Sequence, residues 1–340
     1  MNFKDFWYVV AESGELRADV VLARSVLGER LACFRGGDGK AAVLPDRCLH
    51  RNAPLSLGRV QQGALSCPYH GWRYAGDGRV IHIPSQPPAA DYGHCLAPFD
   101  SQEVDGYIYV RLNRPASSDI APWRYAHHRE RAWRSVRLSN RFANTVTNCV
   151  ENFIDVPHTA FVHTGIFRTT QGQRIVASVE RKQGAVHVVY QNERANLGTW
   201  RWFLNPRGKE IRHTDSFFVP NVTYVTYEIG ERTFIITSQS VPVGSDDGGD
   251  TLVYTDLTYN FGMFNDVARP FVRLFGQRVI DQDVEILAAQ MENIRRYGAD
   301  FRDTPADVIH RCVESLRAAV ARGEDPRALP PLSCDIEFYV

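Results

Sequence analysis

The sequence predicts an α+β fold in two parts: an all-β N-terminal domain over residues 1–115, and a larger domain over 116–340 with an antiparallel sheet covered by helices. Three observations carry this expectation. The first third is filled with short β-branched or aromatic runs separated by glycine-rich turns. Strand patterns return between residues 175 and 260. Helical patterns then occupy 264–298 and 304–322, and strands followed by long helices indicate helices laid on one face of an antiparallel sheet.

Along the first part, Phe6–Val10, Leu31–Phe34, Ala41–Leu44 and Tyr107–Leu112 read as strands. Gly36-Gly37-Asp38-Gly39 and Gly76-Asp77-Gly78 have the chemistry of hairpin tips. Asn113–Pro122, rich in Pro, Ser, Asn and Asp, reads as the boundary. Residues 140–165 have helical character. Ala185–Tyr190, Thr199–Leu204, Asn221–Ile229, Thr233–Val241 and Thr251–Tyr259 read as strands, with a turn at Asp246–Asp250 before the last. No repeat of fixed period is present.

Composition narrows the function. The 340 residues carry 39 Lys+Arg against 39 Asp+Glu, with 44% hydrophobic and 23% charged residues, which is ordinary for a globular chain. A net charge of zero argues against a nucleic-acid binder that works by neutralising phosphates. Seven cysteines are too few for a disulfide scaffold. No apolar run approaches ~18 residues, so no membrane helix is expected. Met1–Val10 contains Lys4 and Asp5 and does not read as a signal peptide. A cytoplasmic, reducing setting is therefore expected, and there thiols are available to metals.

Two of the cysteines keep company with histidine. Cys48-Leu49-His50 is followed by Cys67-Pro68-Tyr69-His70, a C-x-H-x16-C-x-x-H pattern. Two thiolates and two imidazoles hold either one tetrahedral zinc or a [2Fe–2S] centre with two Cys on one iron and two His on the other. Zinc fingers commonly pair Cys with Cys and His with His. Here each loop offers one of each, which suits a two-iron rhomb. With the flanking Arg51 and Gly71-Trp72, the two runs resemble the binding loops of Rieske [2Fe–2S] domains, and more specifically those of the Rieske non-haem iron oxygenases. His in place of two Cys raises the cluster potential, as an electron relay to an oxygen-activating iron requires.

More than 200 residues follow, enough for a second centre. His158 and His163 lie five apart, which on one regular helix would aim them ~140° from each other. Pro157 breaks the preceding helix and Gly165 follows His163, so a broken helix could bring both rings to one ion. Asn152, Asp155, His158 and His163 match the Asn-x-x-Asp-x-x-His-x4-His pattern of the same oxygenases. A single carboxylate completes such a facial triad, and the resemblance places it on a C-terminal helix. Periodicity over 279–296 selects among the acids. At ~100° per residue, Val279, Ile280, Ile286, Leu287, Gln290 and Ile294 fall within ~60° of Asp283, while Asp281 and Glu285 fall ~160° away. Asp283 sits in the apolar stripe, where an unpaired carboxylate is costly.

The resemblance implies the rest. Asp155 would bridge an iron-ligating His of one subunit to a cluster His of the next in a homotrimer, and would fix the His158 tautomer. Asn152 would lie near the iron. The chain resembles the vanillate and dicamba O-demethylase type, the terminal oxygenase of a multicomponent system. An NAD(P)H-dependent flavin reductase, directly or through a ferredoxin, would supply electrons. O₂ and an aromatic or other small organic substrate would then give a hydroxylated or demethylated product. Two alternatives share these residues in whole or part: a ring-hydroxylating dioxygenase, and a Rieske electron-transfer protein without oxygenase activity. A third is a zinc-stabilised binding protein. Cys33, Cys95, Cys149, Cys312 and Cys334 read as packing residues. His82 and His94 match no ligand position, and His127, His128, His187, His213 and His310 read as isolated. Trp200, Trp202, Phe217, Phe218, Tyr224 and Tyr227 read as sheet aromatics, some of them facing a pocket.

Overall fold

The computed structural model describes residues 1–89, 91–114, 119–163, 172, 174–191, 209, 211–245 and 248–339. It divides into two compact units: Phe3–Ala126 with Pro242–Ser245, and Met1–Asn2, His127–Val241 and Asp246–Val340. The 115/116 boundary, the strand expected at Thr199–Leu204 with Trp200 and Trp202, Gly165, and Asp246 and Asp247 of the expected turn lie outside the described residues.

The first unit contains β1 (Trp7–Glu12), β2 (Leu22–Val26), β3 (Glu29–Arg35), β4 (Ala41–Pro45), β5 (Arg59–Gln61), β6 (Ala64–Ser66), β7 (Arg73–Tyr74), β8 (Val80–His82), β9 (Asp100–Val104) and β10 (Tyr107–Arg111). They form three small sheets, ordered β1-β10-β9, β2-β3-β4 and β5-β6-β7-β8. Both glycine-rich tips join antiparallel neighbours, β3 to β4 and β7 to β8. Gly78 has φ +85, and a Cβ there would stand 1.9 Å from the Leu96 carbonyl oxygen, so this tip requires glycine. Phe34, Leu44, Leu55, Leu65, Tyr74 and Val80 pack into one core around Cys48 and Cys67.

In the second unit, β11 (Arg134–Phe142), β12 (Arg174–Lys182), β13 (Ala185–Gln191), β14 (Ile211–Phe218), β15 (Val222–Ile229), β16 (Arg232–Pro242), β17 (Thr251–Asn260) and β18 (Leu332–Tyr339) build one eight-stranded sheet. Its order is β11-β17-β16-β15-β14-β13-β12-β18. The helices are α1 (Val146–Ile154), α2 (Thr159–Val162), α3 (Asn265–Tyr297) and α4 (Val308–Ala321). Residues 140–142, expected as helical, belong to β11. Helix α1 starts only at Val146, where the Thr145 hydroxyl accepts from Asn148 N at 3.2 Å.

Two faces anchor the helices. Val146, Val150 and Ile154 of α1, spaced four apart, bury against Val179, Val186, Val188 and Phe217, and α4 adds Ile309, Val313 and Leu316 to the same core. Helix α3 approaches β17 closely at Gly276, where a Cβ would lie 2.3 Å from Leu257 Cδ1. Among the described residues no helix is long and apolar enough to cross a membrane.

Two packing expectations need correction. Cys95 is exposed and so is not a packing residue, whereas Cys33, Cys149 and Cys312 are buried. Ile286 is 46% exposed. The buried face of α3 runs through Ile280, Asp283, Leu287 and Met291, which turns its centre away from Ile286 and leaves Asp283 at its edge.

Candidate metal centres

The two Cys/His loops are built to one plan. In the first, Cys48 N donates to Ala53 O at 2.8 Å and Asn52 N donates back to Cys48 O at 2.9 Å. In the second, Cys67 N donates to Trp72 O at 2.8 Å and Gly71 N to Cys67 O at 3.2 Å. The residue four after each cysteine takes positive φ, +55 at Asn52 and +72 at Gly71. Asn and Gly are the residues that tolerate this conformation. Each loop thereby turns its cysteine inward and its histidine outward: Cys48 and Cys67 are 1% and 4% exposed, while His50 is half-buried and His70 exposed. The imidazoles lie 4.5 Å apart between centroids, and Trp72 stacks on His50 at 5.2 Å with 3° between planes.

Burial pushes the Cys67 thiol up, which opposes the thiolate that a metal ligand requires. A bound cation removes that difficulty. One tetrahedral ion needs its four ligand atoms roughly 3.5 Å from one another. Among the described residues, Cys48, His50, Cys67 and His70 are not gathered that tightly, and the one group of His, Cys, Asp or Glu with its ligand atoms within 4.8 Å of one another lies elsewhere. The wider arrangement, sulfur inside and nitrogen outside, fits two irons better than one zinc. Tyr74, which sequence reasoning missed, reaches this centre. Leu49 N donates to its hydroxyl at 3.0 Å, and the hydroxyl stands 3.2 Å from Cys48 Sγ, to which it would donate with the sulfur as a thiolate.

The tighter group is His158, His163 and Asp283. Asp283 Oδ1 lies 3.3 Å from His163 Nε2 and 3.7 Å from His158 Nε2. Ligands held cis at ~2.1 Å from one ion stand about 3.0–3.4 Å apart, close to these spacings. The short helix α2 makes the convergence possible. His158 precedes its first turn, and His163 leaves it at φ −100, ψ 41, out of helical register. Each ring is held from behind: His158 Nδ1 is 3.1 Å from Asp155 Oδ2, and His163 Nδ1 is 3.0 Å from Gln282 Oε1. With acceptors at both Nδ1 atoms, each neutral ring would carry its proton there and turn Nε2 toward Asp283. Burial opposes a charge on His163, but the Asp283 carboxylate outweighs it and holds the imidazole above its ordinary pKa. Asp283 is 4% exposed, and its Oδ1 is buried with no hydrogen-bond partner. A buried carboxylate oxygen without a donor, facing two imidazole nitrogens, suits a divalent metal.

This trio lies in the wall of a cavity of about 210 Å³. Phe153, Val225, Ile236, Leu257, Phe261 and Phe275 give the cavity a mainly apolar lining. Asn152 also lines it, and its Nδ2 is buried without an acceptor among the described residues. A buried pair on the sheet wall was missed. His213 Nε2 lies 2.8 Å from Asp215 Oδ1, and the Tyr190 hydroxyl donates to Asp215 Oδ2 at 2.9 Å. The His213 ring is stacked between Tyr190 and Tyr227, at 4.4 and 4.2 Å. Read as isolated, His213 is part of this network. The usable signal was strand alternation: Ile211, His213, Asp215 and Phe217 all fall on the buried face of β14. His310, also read as isolated, stands 4.0 Å from Asp155 Oδ1.

Comparison with known proteins fits this geometry. Residues 6–98 match the Rieske [2Fe-2S] domain, and residues 143–312 match the vanillate O-demethylase oxygenase C-terminal domain. The two matches in this order define the class: the chain belongs to the Rieske non-haem iron oxygenases. Within that class it belongs to the vanillate O-demethylase oxygenase family, with the [2Fe–2S] cluster and mononuclear Fe(II) of that family as its cofactors. It is 32% identical over 164 residues to the vanillate O-demethylase oxygenase subunit of Pseudomonas sp. (strain HR199 / DSM 7063), covering 47% of this chain and 45% of that one. It is 31% identical over 213 residues to the putative toluene-4-sulfonate monooxygenase system iron-sulfur subunit TsaM2 of Comamonas testosteroni, covering 60% and 57%. The chain thus spans about half the length of these relatives. A crystal structure of dicamba monooxygenase bound to dicamba shares the fold, with TM-score 0.80, 20% identity, and coverage of 95% of this chain and 98% of that one.

Proposed function

We propose that this chain is the terminal oxygenase component of a multicomponent monooxygenase that hydroxylates or oxidatively demethylates an aromatic or other small organic substrate. The observation that carries the reading is the convergence of His158 Nε2, His163 Nε2 and Asp283 Oδ1 on the wall of an apolar cavity. Cys48, His50, Cys67 and His70 would hold the [2Fe–2S] cluster, and His158, His163 and Asp283 the Fe(II). When bound, the cluster supplies one-electron transfer and the iron supplies O₂ activation.

The chain's own residues do the remaining work. As three protein ligands on the cavity wall, His158, His163 and Asp283 would hold the iron without filling its coordination shell. Asp155 fixes His158 in the tautomer that a metal needs. The apolar wall excludes water and favours a flat, weakly polar substrate. A dry cavity of about 150 Å³ takes up benzene, so about 210 Å³ suits a single substituted ring. Asn152 Nδ2 offers a donor on the same wall. By family resemblance, Asp155 connects the two centres between subunits of a homotrimer, and an NAD(P)H-dependent flavin reductase, directly or through a ferredoxin, feeds the cluster. A reducing, cytoplasmic setting, in which thiols stay available to a metal, fits this reading.

The reading is tested by reconstituting the chain with a compatible reductase, NADH and ¹⁸O₂ over a panel of methoxy- and N-methyl-arenes. The expected result is O₂-dependent product carrying label, or formaldehyde release where a methyl group is lost. His158→Ala is expected to abolish product formation and keep the cluster absorbance. Undiminished turnover in that variant refutes the iron site.

A further inference from the structure

The two histidines facing Asp283 are held from behind by different chemistry. Behind His158 stands a carboxylate, Asp155, at 3.1 Å, and behind His163 stands the amide of Gln282 at 3.0 Å. Gln282 is half-buried and directly precedes Asp283 on α3. One helix therefore delivers a candidate ligand and the support of another. An amide oxygen only accepts, so this contact favours the proton of the neutral ring on His163 Nδ1 and turns Nε2 toward Asp283.

Charge gives the difference a consequence. Asp155 and Asp283 together contribute two negative charges near the trio, matching a dication. A second carboxylate behind His163 would make the set net negative. A neutral amide orients the ring without adding charge, and it polarises Nδ1–H less than a carboxylate does.

We propose that Gln282 is a positioning residue for the mononuclear iron, locking His163 with Nε2 toward Asp283 and keeping it the weaker donor of the two histidines. The proposal rests on the reading of His158, His163 and Asp283 as an Fe(II) site.

The test uses the full chain with its cluster assembled, comparing wild type, Gln282→Leu and Gln282→Glu. Fe(II) affinity is measured by competition with a chelator, and the site is read by EPR of the nitric oxide adduct of Fe(II). Gln282→Leu is expected to bind Fe(II) about 10–100-fold more weakly and to show a broadened or second nitrosyl signal, because the His163 ring loses its fixed orientation. Gln282→Glu, which restores an acceptor and adds charge, is expected to recover wild-type affinity or exceed it with a single sharp signal. An unchanged affinity and signal in Gln282→Leu overturns the proposal. So does equal weakening in both variants, which would show that the position matters only for packing. A wild-type chain that takes up no Fe(II) outside the cluster overturns the iron-site reading itself, and that result is distinguishable because it appears before any substitution.

Discussion

Asp155 holds His158 twice, accepting from its backbone N at 3.0 Å and facing its Nδ1 at 3.1 Å with the same oxygen, Oδ2. The first bond fixes where the chain turns after α1, and the second fixes which nitrogen of the ring is left for a metal. One carboxylate thus couples the local fold to the chemistry of the site. Its other oxygen, Oδ1, lies 4.0 Å from His310 Nε2.

Asp155→Asn should retain an oxygen acceptor and lose the charge. Substrate oxidation is expected to fall by about 10–100-fold, with the cluster signal in EPR unchanged. Activity within twofold of wild type would show that the charge of Asp155 has no part in turnover.

Tyr74→Phe removes the hydroxyl directed at Cys48 Sγ. Reduction adds negative charge to the cluster, so a donor to sulfur favours the reduced form and raises the potential. A hydrogen bond of 0.5–1.5 kcal/mol corresponds to about 20–65 mV for one electron. A redox titration is expected to find the variant's potential lower by that amount. An equal or higher potential would contradict the assigned direction of the bond.

Glu151, on the inner side of α1, is pushed up to about 8 by burial, with the Glu314 carboxylate adding repulsion. The folded chain therefore holds a proton that the unfolded chain releases near pH 4.5. Between these values stability falls as pH rises, and above the folded pKa the loss is complete. Glu151→Gln should melt close to wild type near pH 4.5 and higher than wild type at pH 8, by on the order of 10 °C. A parallel pair of melting curves across that window would show that Glu151 does not titrate between folded and unfolded states.

Gly78→Ala tests the N-terminal unit. The φ of +85 and the 1.9 Å approach to Leu96 O leave no room for a methyl group without moving backbone. A loss of at least ~1–3 kcal/mol is expected, measured by chemical denaturation followed through cluster absorbance. An unchanged midpoint would mean that the tip relaxes freely.

Local patterns made much of this legible from sequence. Cys48, His50, Cys67 and His70 announce themselves by residue type and spacing, and Asp283 by a carboxylate lying where helical periodicity wants an apolar side chain. The same periodicity misplaced Ile286, because hydrophobicity marks a stripe and only the packing partner decides which edge of it is covered. His213 and Asp215 were within reach of strand alternation but needed β14 to be recognised as a strand. Gln282 and Tyr74 were not. Each acts across the fold, 119 residues from His163 in one case and 26 from Cys48 in the other, so no local period marks them.

One chain is expected to carry both a Rieske cluster and a separate mononuclear iron. Metal analysis with EPR of the dithionite-reduced protein tests it most directly. The expected result is about three irons per chain, two in a cluster with a Rieske-type signal and one outside it. Stoichiometric zinc with no such signal would contradict it.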